Sequence, residues 1–103
     1  MKMEVVKMGD FTLEKLIGPE EYGDKLGLYA RVIVPPKAAV PYHQHVGDSE
    51  VYYILSGEGE YYDNGEKRMV KAGDVTWTPD GSSHGLVNTG DTDLVFMALI
   101  IKK

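Results

Sequence analysis

The 103-residue chain contains no cysteine. That absence removes disulfides, thiol nucleophiles and thiolate metal sites together. Positive charge is also scarce. Lys and Arg total 11 against 16 Asp and Glu, which leaves a formal net charge of −5 at pH 7. Such a balance repels a polyanionic backbone, so nucleic acid is not an expected partner. Long apolar runs are missing too. The longest, Leu94 to Ile101, falls well short of the roughly 20 residues a membrane helix needs. The start of the chain, Met1-Lys2-Met3-Glu4, lacks an apolar signal-peptide core. No membrane partner is expected, and a cytoplasmic location is. What remains is ordinary for a folded chain: 43% hydrophobic and 26% charged residues, unlike a disordered segment. The length suits one domain over residues 1–103.

Helical spacing is absent from every window of about a dozen residues. Turn signals recur instead at short intervals: Gly18-Pro19, Pro35-Pro36, Ser56-Gly57, Asn64-Gly65, Ala72-Gly73-Asp74, Pro79-Asp80-Gly81 and Thr89-Gly90-Asp91. Between them lie short segments rich in Val, Ile, Leu and Tyr, the pattern of an all-β sandwich or barrel. The expected strands are Phe11–Leu16, Gly27–Val34, Ala39–His45, Glu50–Leu55, Gly59–Asp63, Lys67–Lys71, Val75–Thr78, His84–Asn88 and Leu94–Ile101. Asn64-Gly65 predicts a tight hairpin across Glu58–Val70, because both residues tolerate the positive φ of a type I′ turn. Gly18–Lys25 is the one candidate for a short turn, although its Gly and Pro content favours a loop, and Gly18–Asp24 could cover a barrel mouth as a lid. A closed or double-sheet architecture follows, since it hides strand edges in a small chain.

All three histidines, His43, His45 and His84, enter one constellation. His43 and His45 are two apart in an extended segment, so their side chains share a face. Glu50 opens the next strand after a turn-rich connector. If that strand pairs antiparallel with the first, its carboxylate returns beside the imidazoles. Glu50 also heads an apolar stripe with Tyr52 and Ile54, where an unpaired carboxylate is costly. His84 begins another strand. Three imidazoles and one carboxylate suit a divalent transition metal (Mn, Fe, Ni, Co or Zn), and copper as well, and leave coordination positions open. A metal-free polar cluster, with Glu50 paired to a charged histidine, predicts the same arrangement.

The spacings carry a resemblance. His43-Gln44-His45, four residues, Glu50, six residues and Gly57 match the first cupin motif, HxH(x)₄E(x)₆G. Gly73, five residues, Pro79-Asp80-Gly81, two residues, His84, three residues and Asn88 match the second, G(x)₅PxG(x)₂H(x)₃N. The chain thus resembles a small single-domain cupin. The resemblance implies a double-stranded β-helix, or jelly-roll barrel, over residues 1–103. It also implies metal ligands at His43, His45, Glu50 and His84. One position departs: where the first motif usually has glycine, six residues before its first histidine, this chain has Lys37. A local backbone difference is expected there, with the ligand set untouched.

The family includes dioxygenases, oxalate decarboxylases, sugar-phosphate isomerases and non-enzymatic binding proteins, so the motif leaves the reaction open. The leading expectation is a metal-dependent enzyme acting on a small polar molecule coordinated to the metal. The alternative is a non-catalytic sensor or binding module. With every histidine used as a ligand, Tyr52 or metal-bound hydroxide is the candidate catalytic group. Arg31 and Arg68 are the only arginines, and either could hold a substrate carboxylate. Gly57, Gly73 and Gly81 read as turn residues, and Asn88 as structural. Trp77 belongs either to the core or to a subunit interface. Leu94–Ile101 is apolar on both faces, which predicts cover by a second layer and a homodimer.

Overall fold

The computed structural model describes residues 3–103. Alternating apolar residues and closely spaced turns build antiparallel strands throughout. In order these are β1 (Glu4–Met8), β2 (Phe11–Lys15), α1 (Pro19–Tyr22), β3 (Leu26–Val34), β4 (Ala39–Gln44), β5 (Asp48–Ser56), β6 (Glu58–Asp63), β7 (Glu66–Lys71), β8 (Val75–Thr78), β9 (Ser83–Val87) and β10 (Leu94–Lys102). They form a six-stranded sheet, β1-β2-β3-β10-β5-β8, and a four-stranded sheet, β4-β9-β6-β7. This is the expected all-β jelly roll. Among the described residues no helix is long and apolar enough to cross a membrane.

All nine expected strands are present within two residues of their predicted ends. Two features differ. β1 had no counterpart in the sequence reading, yet it pairs with β2 along its whole length, from Glu4 opposite Lys15 to Met8 opposite Phe11. Gly18–Lys25 holds one helical turn. Pro19 leads it with a preset φ, and the Glu21 carboxylate accepts the Gly18 N–H at 2.8 Å.

Strand alternation sorts the apolar residues between a core and an outer face. From β10, Leu94, Phe96 and Ala98 are buried against Val32, Val34, Ile54, Tyr61 and Leu86. The other parity, Val95, Met97 and Leu99, is only half-buried. The tyrosine pairs divide as alternation requires: Tyr52 and Tyr61 are buried, Tyr53 is exposed and Tyr62 half-buried. The β6–β7 hairpin turns at Asn64 (φ 49°) and Gly65 (φ 94°), as expected. Asn88 is structural: its side-chain amide donates to Val34 O and Thr92 O, and its carbonyl accepts the Gly90 N–H.

Lys37 sits in unusual backbone. It takes a positive φ of 69°, the left-handed conformation glycine adopts freely, and its N–H still reaches Asn88 O at 3.1 Å. A side chain in that region carries a conformational cost of about 1–2 kcal/mol. Part of it returns when glycine loosens the unfolded chain. Lys37→Gly is therefore expected to raise stability, by about 0.5–1 kcal/mol, measured by urea unfolding.

Candidate metal centre

Three strands converge at one end of the barrel. His43 on β4 lies directly opposite His84 on β9. Between Val40↔Leu86 and His43↔His84 the register slips by one residue. A bulge of this kind re-aims a side chain. Gly85 permits it, because a Cβ there would stand 3.0 Å from Tyr42 Cα. His45 follows β4 and is fixed by its backbone, with its N–H on Ser82 O and its carbonyl accepting from Gly81. Glu50 arrives from elsewhere. The β4–β5 pairing on which its expected approach was conditional does not form; β5 lies between β10 and β8 in the six-stranded sheet. Glu50 thus reaches the imidazoles across the barrel interior from the facing layer.

Ligand-type atoms of His43, His45, Glu50 and His84 lie within 4.8 Å of one another. The three Nε2 atoms are mutually 3.0–3.2 Å apart. Glu50 Oε1 is 2.9 Å from Nε2 of both His45 and His84. The far side of each ring decides where the protons sit. His43 Nδ1 is 2.7 Å from Pro41 O, which can only accept, so Nδ1 carries the hydrogen. His45 Nδ1 donates in the same way to Asp48 Oδ1 at 2.8 Å. His84 Nδ1 contacts Thr78 Oγ1 at 2.8 Å and the Tyr61 hydroxyl at 2.9 Å. With Nδ1 donating, His43 and His45 turn Nε2 lone pairs toward the centre, while His84 Nδ1 faces two hydroxyls, each able to donate or accept. A divalent cation satisfies all four donors together, and the residues therefore fit such an ion.

Burial reinforces this. Glu50 is 4% exposed and His84 is fully buried. Burial holds the His84 imidazole below its ordinary 6.5, against the opposing pull of Glu50. The ring is then neutral and able to ligate. The Tyr52 hydroxyl lies 3.5 Å from His84 Nε2. Burial first, and the Glu50 carboxylate second, push its phenol well above the ordinary 10. Tyr52 stays protonated at neutral pH, which suits a hydrogen-bond donor and rules out a resting base.

Asp48, Thr78 and Tyr61 were not singled out as site residues, although each orients a histidine. Parity offered one signal: Thr76 and Thr78 alternate with Trp77, so both point inward, and both are buried. Neither arginine reaches the site. Arg31 pairs with Glu14 on the outer face, and Arg68 stacks 5.4 Å over the Tyr61 ring. Nor does the Gly18 loop cover the histidines; it lines a neighbouring cleft. The β1–β2 hairpin flanks the mouth instead, through Met8, Phe11 and Leu13.

The family model for the cupin domain matches residues 30–100. The chain belongs to the cupin family. This cupin is 46% identical over 93 residues to the oxalate-binding protein of Thermotoga maritima, a match spanning 90% of this chain and 77% of that one. The crystal structure of a predicted oxalate decarboxylase from Thermotoga maritima superposes with a TM-score of 0.90 at 42% identity, covering 98% of this chain and 92% of the other. A cupin from Shewanella frigidimarina gives a TM-score of 0.84 at 20% identity over 99% and 86% of the two chains, a likeness of fold alone.

The orienting groups supply a test of their own. Outer partners of metal-bound histidines are commonly worth about 10–100-fold in affinity. Asp48→Asn and Thr78→Val are each expected to weaken metal binding by about that factor, read by competition with a chelating dye. Unchanged affinity in both would show that the rings need no such support.

Proposed function

We propose that this cupin holds one divalent transition ion (Mn, Fe, Ni, Co or Zn) on His43, His45, Glu50 and His84, and acts on a small oxygen-donor molecule that coordinates it. The convergence of three imidazole Nε2 atoms and the Glu50 carboxylate on one point carries this reading. A bound ion of this kind polarises a carbonyl, acidifies bound water or supports redox chemistry. The chain's own part is to fix the donors, exclude bulk water from the buried side, and present Tyr52 as a neutral donor beside the site. Tyr52 is the residue we assign to catalysis, as acid rather than base. Oxalate is the first molecule to test, because the Thermotoga relative is named for binding it. That name also favours a second reading, in which the protein binds its ligand without turning it over.

Titrating oxalate into protein reconstituted with each metal, followed by assay for carbon dioxide and formate, separates these readings. Binding with turnover that falls in Tyr52→Phe supports the enzyme. Binding without turnover supports the binding protein. Failure of oxalate and of other small oxygen-donor acids to bind any metal form overturns both.

We also infer that the protein works as a homodimer. Strand register sets Trp77, Val51, Leu99 and Tyr29 in one outer row of the larger sheet, and Val75, Tyr53 and Met97 in the next. Trp77, Val75 and Tyr53 are each about half exposed. A contiguous apolar face of this kind marks an interface. Light scattering is expected to give twice the 11.4 kDa chain mass, and Trp77→Glu to give the monomer with its metal retained. A monomeric parent protein would contradict this.

A further inference from the structure

The cavity over the candidate metal centre has a volume of about 340 Å³, far more than a two-carbon diacid fills. Its walls are almost wholly hydrocarbon. β2 contributes Phe11 and Leu13, β3 Leu28 and Val32, and β10 Phe96 and Ile100. Polar side chains enter it from His43, His45, Glu50 and Tyr52. No lysine or arginine lines it among the described residues. Lys15, further along β2, faces the adjacent cleft and pairs with Glu4 at 3.7 Å. A second anionic group extending beyond the metal would therefore lose water and meet no counter-charge. An alkyl group there would instead cover Phe11, Leu13, Leu28 and Ile100, which the fold leaves only half-buried.

From this we infer the ligand class, and the inference rests on the metal-centre reading above: an amphiphilic chelator. One end offers two adjacent oxygen donors, as in a 2-oxo or 2-hydroxy carboxylate. The other end is an uncharged hydrocarbon substituent seated between β2, β3 and β10. The metal fixes the head and the apolar wall selects the tail. Each methylene buried against that wall is worth about a fourfold gain in affinity.

The test holds the head constant and varies the tail. Full-length protein is loaded with Mn(II), and its metal content is measured before every titration. Pyruvate, 2-oxobutanoate, 4-methyl-2-oxopentanoate and 2-oxoglutarate are then titrated calorimetrically. Affinity is expected to climb along the first three, by at least about tenfold in all. 2-Oxoglutarate, with its charged tail, is expected to bind no tighter than pyruvate. Leu28→Lys supplies the missing cation, and metal-replete protein of this variant should reverse the preference toward 2-oxoglutarate. A flat series, or 2-oxoglutarate bound most tightly by the parent protein, overturns the amphiphile while leaving a metal-replete centre standing. Protein that takes up no metal overturns the centre and the inference together.

Discussion

Glu50→Gln is expected to move stability in opposite directions with and without metal. In the presence of a chelator, Glu50 is 4% exposed beside the three imidazoles, with no lysine or arginine lining its cavity among the described residues. An amide of the same shape carries no charge to desolvate and can donate to an Nε2 lone pair. Metal-free Glu50→Gln is therefore expected to be at least as stable as the parent, and up to about 1–3 kcal/mol more so. With metal present the sign reverses. An ion at a hundred times its Kd stabilises the folded chain by about 2.7 kcal/mol, or about 10–20 °C in Tm for a domain of this size. Removing the anionic donor should lower the affinity by at least about a hundredfold, because even an outer partner is worth 10–100-fold. Most of that metal-induced shift then disappears. A buried pair between Glu50 and a protonated histidine makes the contrary prediction. Breaking such a pair costs about 3–5 kcal/mol with no metal in solution. Thermal unfolding of both proteins, with chelator and with Mn(II), distinguishes the two accounts by sign.

The second large effect is expected far from any chemistry, at Gly57. Its φ is 85°, and a Cβ there would stand 2.6 Å from Asp93 O and 2.9 Å from Leu94 Cα. Both contacts are backbone, and Leu94 is a fully buried start to β10. No rotamer can relieve them; the β5–β6 turn or the entry to β10 must move. The left-handed conformation alone costs about 1–3 kcal/mol for an ordinary residue. With the displacement added, Gly57→Ala should lose about 2–4 kcal/mol, or roughly 10–20 °C in Tm. A loss of only a few degrees would mean that β10 does not pack against this turn as described.

This glycine shows what the sequence could and could not convey. The Ser56-Gly57 pair marked it as a turn residue, and the turn is there, but the neighbour that makes it indispensable is contributed from more than thirty residues away. The same division holds at the metal centre. His43 and His45 share a face because alternation is local, and that was legible. Glu50 joins them from the opposite sheet, which no local pattern encodes; the pairing of its strand with β4, on which the expectation was conditional, does not form. Asp48, Thr78 and Tyr61 are commonplace residues whose role exists only once a ring nitrogen lies within 3 Å of them. β1 has no clean apolar alternation: Glu-Val-Val-Lys-Met leaves four of its five residues exposed and pairs only with β2. The sequence marks Lys37 as a departure from glycine, and the left-handed φ of 69° it adopts is visible only in the folded chain.

Elemental analysis of untagged protein, purified without chelator and without a nickel column, tests the central claim most directly. The account predicts one divalent transition ion per chain in the parent protein and none in His45→Ala or His84→Ala, all three being folded by circular dichroism. Folded parent protein that remains metal-free after incubation with excess Mn(II), Fe(II), Co(II), Ni(II) and Zn(II) would contradict it.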